Sequence, residues 1–113
     1  MSTFKYAIAI CGLSQSEAAE FLQVSIDTIK SWSSSRAHPP FGVWSQLASL
    51  WRQIEEACDG AASEIEIGRV DRVYFNNIEA DIVGNELPFE GARKVAGAMA
   101  LLIALEDLAE EDA

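Results

Sequence analysis

The amino-acid sequence predicts a mainly α-helical fold: four to five helices, with a small β-hairpin and a long last helix in the C-terminal part. Three observations carry that expectation. Apolar residues recur at three- and four-residue spacing through residues 4–58, serines stand where helices would begin, and strict alternation sets in only at Glu64.

Phe4, Ala7, Ile8 and Cys11 follow the i, i+3, i+4, i+7 rule for one face of a short helix, opened by Ser2 or Thr3 and ended by Gly12. Ser14-Gln15-Ser16-Glu17 then reads as a capping box, in which the Ser14 hydroxyl and the Glu17 carboxylate each satisfy an orphan backbone donor. It opens a second helix to about Leu22, with Ala18, Ala19 and Leu22 inward. Gln23 and Val24 form the turn. Ser25 is suited to cap a third helix whose buried positions, Ile29 and Trp32, lie three apart. Ser33-Ser34-Ser35 and Pro39-Pro40 bracket a loop, after which Phe41, Trp44, Leu47, Leu50, Trp51, Ile54 and Cys58 keep helical period in a longer fourth helix.

From Glu64 the string EIEI, the Gly68-Arg69 pair and VDRVYF suit a hairpin, and 78–83 reads as a strand or one helical turn. Residues 89 to about 109 form the last helix. Its alanines recur every four residues (Ala92, Ala96, Ala100, Ala104) beside Val95, Met99, Leu102 and Leu105. The expected division is a helical unit over 1–60 and a C-terminal dimerisation or interaction element over 61–113.

Half of the 113 residues are hydrophobic, so the chain has the composition of a folded domain rather than a disordered one. Cys11 and Cys58 sit in apolar segments with no metal-ligand spacing, which points to buried thiols in a reducing cytoplasm. The longest uncharged stretch, 95–105, is too short for a bilayer, which needs roughly 20 residues. No serine has a His-Asp partner nearby, His38 is a lone histidine in a Pro-flanked loop, and Gly84 and Gly91 are isolated. Neither an enzyme nor a bound cofactor or metal is therefore expected.

The net charge of −10 is unevenly spread. Residues 1–57 hold four cations (Lys5, Lys30, Arg36, Arg52) against five acids, a balance of −1, and the remainder carries −9. Because phosphate neutralisation needs cations, any nucleic-acid role falls to the N-terminal half.

That half has the features by which one helix is laid into a DNA groove across another. Ala19 is a small residue where the two helices touch, Val24 and Ser25 close the turn, and Ile29 with Trp32 fasten the second of the pair. The string GLSQSEAAEFLQVSIDTIKSW, followed by RAHPP, resembles the Cro and repressor (XRE-like) family of helix-turn-helix DNA-binding proteins over about residues 3–57. The likeness rests on Gln opening helix two, Ala-Ala within it, Val-Ser at the turn, Thr-Ile in the next helix, then Trp and Pro. It departs where Gln23 stands for the turn glycine and where Ser33 and Ser35 stand for a glutamate and a glycine.

The resemblance implies that Gln15 contacts a phosphate, that Ile26, Asp27, Thr28 and Ser31 face bases or backbone, and that Lys30, Ser34 and Arg36 flank that surface, with the cap Ser25 a further DNA-binding candidate. Each also has a plainer reading. Ser25 is a helix cap in any case, and Thr28 either bonds locally or meets a base. Asp27 is a solvated acid or an acceptor for the cytosine amino group. Lys30 and Arg36 are ordinary surface charges or phosphate contacts.

One such module covers a single half-site, so a homodimer on a palindromic operator is expected, joined through Ala92, Val95, Ala96, Met99, Ala100 and Leu102; the same stripes would equally cover the chain's own core. The function this implies is a transcriptional repressor or autoregulator on double-stranded DNA. Two alternatives stay open. One is an antitoxin whose acidic half covers a basic toxin; the other is an acidic interaction module or DNA mimic on a helix-turn-helix scaffold.

Overall fold

The computed structural model describes residues 2–66 and 87–112, which form five helices and no strand: α1 (Thr3–Ile10), α2 (Gln15–Leu22), α3 (Ile26–Ser33), α4 (Phe41–Glu66) and α5 (Glu90–Asp112). The first three share one local design. Each begins at a serine whose hydroxyl accepts the amide three residues on: Ser2 from Lys5 (3.3 Å), Ser14 from Glu17 (3.1 Å) and Ser25 from Thr28 (3.1 Å). Around Ser14 the capping box is complete, since its amide also donates to Glu17 Oε1 at 3.0 Å.

Each of the three also ends alike, on a residue with positive φ that folds the chain back onto the last carbonyls. After α1 this residue is Gly12 (φ 73), and the Leu13 amide reaches Ile8 O at 2.9 Å. After α2 it is Gln23 (φ 56), with the Val24 amide on Ala19 O at 3.1 Å. After α3 it is Ser35 (φ 68), with the Arg36 amide on Ser31 O at 3.0 Å.

Packing gathers these helices on one core. Phe4 and Ile8 of α1, Ala18 and Leu22 of α2, and Ile29 and Trp32 of α3 are buried together with Val43, Leu47, Leu50, Ile54, Cys58, Ala61, Ala62 and Ile65 of α4. The Phe4 ring meets Trp32 and Trp44 edge-on, with centroids 5.4 and 6.1 Å away. Both cysteines lie in this core as free thiols, and burial pushes the Cys11 and Cys58 thiols up from their ordinary range; at Cys58 the neighbouring Asp59 and Glu55 carboxylates add to the effect. They are held in the protonated, unreactive form.

Three expectations change here. Glu64, Ile65 and Glu66 belong to the last turn of α4, not to a strand. Ile65 continues the buried series Ile54, Cys58, Ala61, so helix continuation buries it against the existing core where an alternating strand would have had to build a new one. The remainder of the expected hairpin and the 78–83 segment lie outside the described residues. Phe41, read as part of the inward face of α4, is 83% exposed at the helix's first position, beyond the reach of the core. Ser33, assigned to a loop, is instead the buried last residue of α3.

The alanines of α5 also find their place. Ala92, Ala96, Ala100 and Ala104 are all fully buried, forming an i, i+4 ridge within the core shared with α4, the helix with which α5 makes its main contact. Ala92, Ala96 and Ala100 are thereby closed to a second copy, because their own chain already covers them. Val95 and Met99 are half-buried against the same core, and Leu102 is 68% exposed. α4 runs through residue 60 without a break. Among the described residues no helix is long and apolar enough to cross a membrane.

Candidate nucleic-acid interface

The surface of interest is built on α3. Ile29 is fully buried and Trp32 nearly so, which fixes one side of this short helix to the core. The other side stands out: Ile26, Asp27 and Lys30 are exposed, with Thr28 and Ser31 half-buried beside them. Positions 26, 27 and 30 lie on one face because 3.6 residues make a turn. An exposed isoleucine at the first position of a helix loses the hydrophobic stabilisation that burial would supply, so its exposure is a cost to the isolated fold.

Ser25 and Thr28 are tied to each other. The Ser25 hydroxyl accepts the Thr28 amide, and the two side-chain oxygens lie 2.8 Å apart. Local bonding of Thr28 is thus realised. The turn before α3 depends on Gln23 holding a left-handed conformation that costs a side-chain-bearing residue about 1 kcal/mol or more. Gln23→Gly is accordingly expected to raise the free energy of unfolding by up to about 1 kcal/mol in urea denaturation, the gain being trimmed by glycine's greater freedom in the unfolded chain. A loss of stability would show the turn to be held by the glutamine side chain instead.

Beside this face lies an open cleft of about 540 Å³, lined by Lys5 of α1, Gln15 at the start of α2, Lys30 and Ser33 of α3, Ser34 and Arg36. Four of these, Gln15, Lys30, Ser34 and Arg36, were expected from sequence. The cleft holds them together in an ordered frame. Ser34 Oγ donates to the Ser31 carbonyl at 3.2 Å and accepts from Arg36 Nε at 3.1 Å, which aims the guanidinium.

Lys5 and Ser33 were not anticipated as neighbours. What joins them is Ser2, whose hydroxyl lies 2.7 Å from the Trp32 carbonyl and 3.0 Å from that of Ser33, seating the start of α1 on the end of α3. Ser25, Ile26, Asp27, Thr28 and Ser31 do not line the cleft; they form the adjoining exposed turn of α3. Among the described residues, no group of three His, Cys, Asp or Glu side chains is placed to hold a metal ion. No protein-family model, curated protein or solved structure matches this chain.

Proposed function

We propose that the chain is a sequence-specific DNA-binding transcriptional regulator, a repressor or autoregulator that acts as a homodimer on a palindromic operator. One observation carries the reading: α3 is pinned from behind by Ile29 and Trp32 while Ile26, Asp27 and Lys30 are exposed on its outer side. A helix held in this way enters a major groove without unfolding, and its first residues are the ones that meet base edges. Ile26 and the Thr28 methyl suit a thymine methyl group, and Asp27 suits the cytosine amino group.

Gln15, Lys30, Ser34 and Arg36 then take backbone positions alongside. Further support comes from the turn and from Ser35, the two places where the resembling family has glycine. Both keep positive φ here, so the backbone path survives the substitutions. With its alanine ridge occupied, α5 leaves Leu102, Ile103 and Leu105 as exposed apolar residues for a second copy.

The test is an electrophoretic mobility shift with the DNA upstream of the protein's own coding region. Specific retention is expected, with a salt slope of roughly −5 for a dimer engaging three cations per protomer, well short of a highly basic repressor. Replacing Lys30 and Arg36 together by alanine should weaken binding to operator and random DNA alike, about 10- to 100-fold, and flatten the slope. No retention at about 10 µM protein, beyond the usual range of specific binding, would end the DNA reading.

A further inference from the structure

We propose that the cleft between α1, the start of α2 and the end of α3 is a seat for a small hydrophilic phosphate monoester, of sugar-phosphate type, which competes there with the DNA backbone. The seat stands on its own geometry; the competition rests on the DNA reading above.

Charge is the first argument. The chain has eight cations against eighteen acids, yet three of the eight, Lys5, Lys30 and Arg36, line this one cleft and no carboxylate among the described residues does. In so acidic a protein that is a local reversal of sign, and an anion is the ligand that gains from it. A dianion gains more than the single charge of a backbone phosphodiester.

The donors are suited to phosphate oxygens. Arg36 uses its Nε on Ser34, which leaves the two terminal nitrogens for a bidentate grip on one phosphate face. Gln15 is the first residue of α2, where backbone amides have no partner within the helix and the helix dipole favours negative charge. The end of α3, whose carbonyls would repel an anion, is masked. Lys30 O is taken by the Ser34 amide, Ser31 O by the Arg36 amide and Ser34 Oγ, Trp32 O by Ser2 Oγ and the Ser35 amide, and Ser33 O lies within reach of Ser2 Oγ.

Ser33 supplies an independent sign. It lines the cleft, is 7% exposed, and its Oγ is a buried side-chain oxygen with no hydrogen-bond partner among the described residues. Buried hydroxyls are rarely left so, because the missing bond costs stability. An oxyanion in the cleft supplies the missing acceptor once the Ser33 side chain rotates outward to meet it, since its Oγ is covered in the structure.

Size and lining narrow the class. At about 540 Å³ the space falls in the range of small-molecule sites and exceeds what one phosphate fills. Its walls are Lys, Gln, Ser and Arg, with no aromatic or aliphatic residue among the described ones to stack a base or hold an acyl chain. A short hydroxylated body, by contrast, meets both the polar heads and the alkyl stems of Lys, Gln and Arg.

The experiment is an amide NMR titration of the full chain with glycerol 3-phosphate and with inorganic phosphate, each against sodium chloride at matched ionic strength. Saturable shifts at Gln15, Ser33, Ser34 and Arg36 are expected, weakened about 10-fold or more in Arg36→Ala. Ser33→Ala should also weaken binding while leaving Tm unchanged or higher, an opposition that a merely structural serine would not produce. Shifts that match the chloride control, or an Arg36→Ala titration equal to wild type, overturn the seat.

A duplex arm separates the sources. Glycerol 3-phosphate displacing bound duplex beyond the chloride control supports competition. Duplex moving these amides while the monoester leaves them still makes the cleft a backbone contact only and overturns the proposal, though DNA binding survives. Saturable monoester binding with no duplex binding upholds the seat and overturns the competition together with the DNA reading.

Discussion

Phe4→Ala is expected to lower the free energy of unfolding by about 3–5 kcal/mol, a large share of the roughly 5–15 kcal/mol that holds a small domain together. The ring is 1% exposed and meets Trp32 of α3 and Trp44 of α4 edge-on, at interplanar angles of 80° and 84°. It is thus the side chain through which α1 touches two other helices at once. Alanine leaves a cavity bounded by two indoles that cannot both collapse into it. Because Trp32 is also one of the two anchors of α3, the exposed face should loosen before the whole chain unfolds. Urea denaturation followed by circular dichroism gives the total, and tryptophan fluorescence gives the local change. Phe4→Leu, which keeps most of the volume, should recover more than half of the loss. A cost below about 1 kcal/mol for alanine would mean that the aromatic cluster is not the joint described here.

Much of this joint was readable beforehand, because its determinants are local. Caps at Ser14 and Ser25 announce themselves in four residues of sequence, and the spacing of Ile29 and Trp32 fixes which side of α3 faces inward. Legibility fails where the deciding partner is distant. The run around Glu64 alternates for too few residues to distinguish a strand from a helix, and only the core ahead of Ile65 decides it. An alanine repeat of four looks the same whether it lies on its own chain or on another, so the ridge of α5 was undetermined until α4 was seen beneath it. Two of the six residues that line the cleft were hidden for the same reason. Gln15, Lys30, Ser34 and Arg36 belong to a recognisable string, whereas Lys5 and Ser33 meet only because Ser2 bonds to the last carbonyls of α3, thirty residues along the chain.

Gly91→Ala should be at least as damaging as many core truncations, costing about 3 kcal/mol or more, although it adds only one methyl group. A Cβ at Gly91 would collide with the backbone carbonyl of Gly12, and one at Gly12 with the backbone of Gly91 and Ala92. Backbone cannot swing aside as a side chain does, so the end of α1 and the first turn of α5 would have to part. Their contact is fixed on both flanks, by buried Leu13 and Leu87 and by the Phe21 and Phe89 rings, 6.0 Å apart and perpendicular. Parting would lift Ala92, and with it the start of the alanine ridge, off the core. Gly12 carries the further constraint of φ 73, so Gly12→Ala should cost more still. Gly42 and Gly60 of α4 serve as controls, since a Cβ at either meets open space. Alanine at Gly60, in a helix interior, should stabilise by up to about 1 kcal/mol. The decisive comparison is the sign: if Gly91→Ala were as harmless as Gly60→Ala in the same denaturation series, α5 would not be docked through this contact. The core shared by the α3-bearing unit and the last helix would then have to be held together elsewhere.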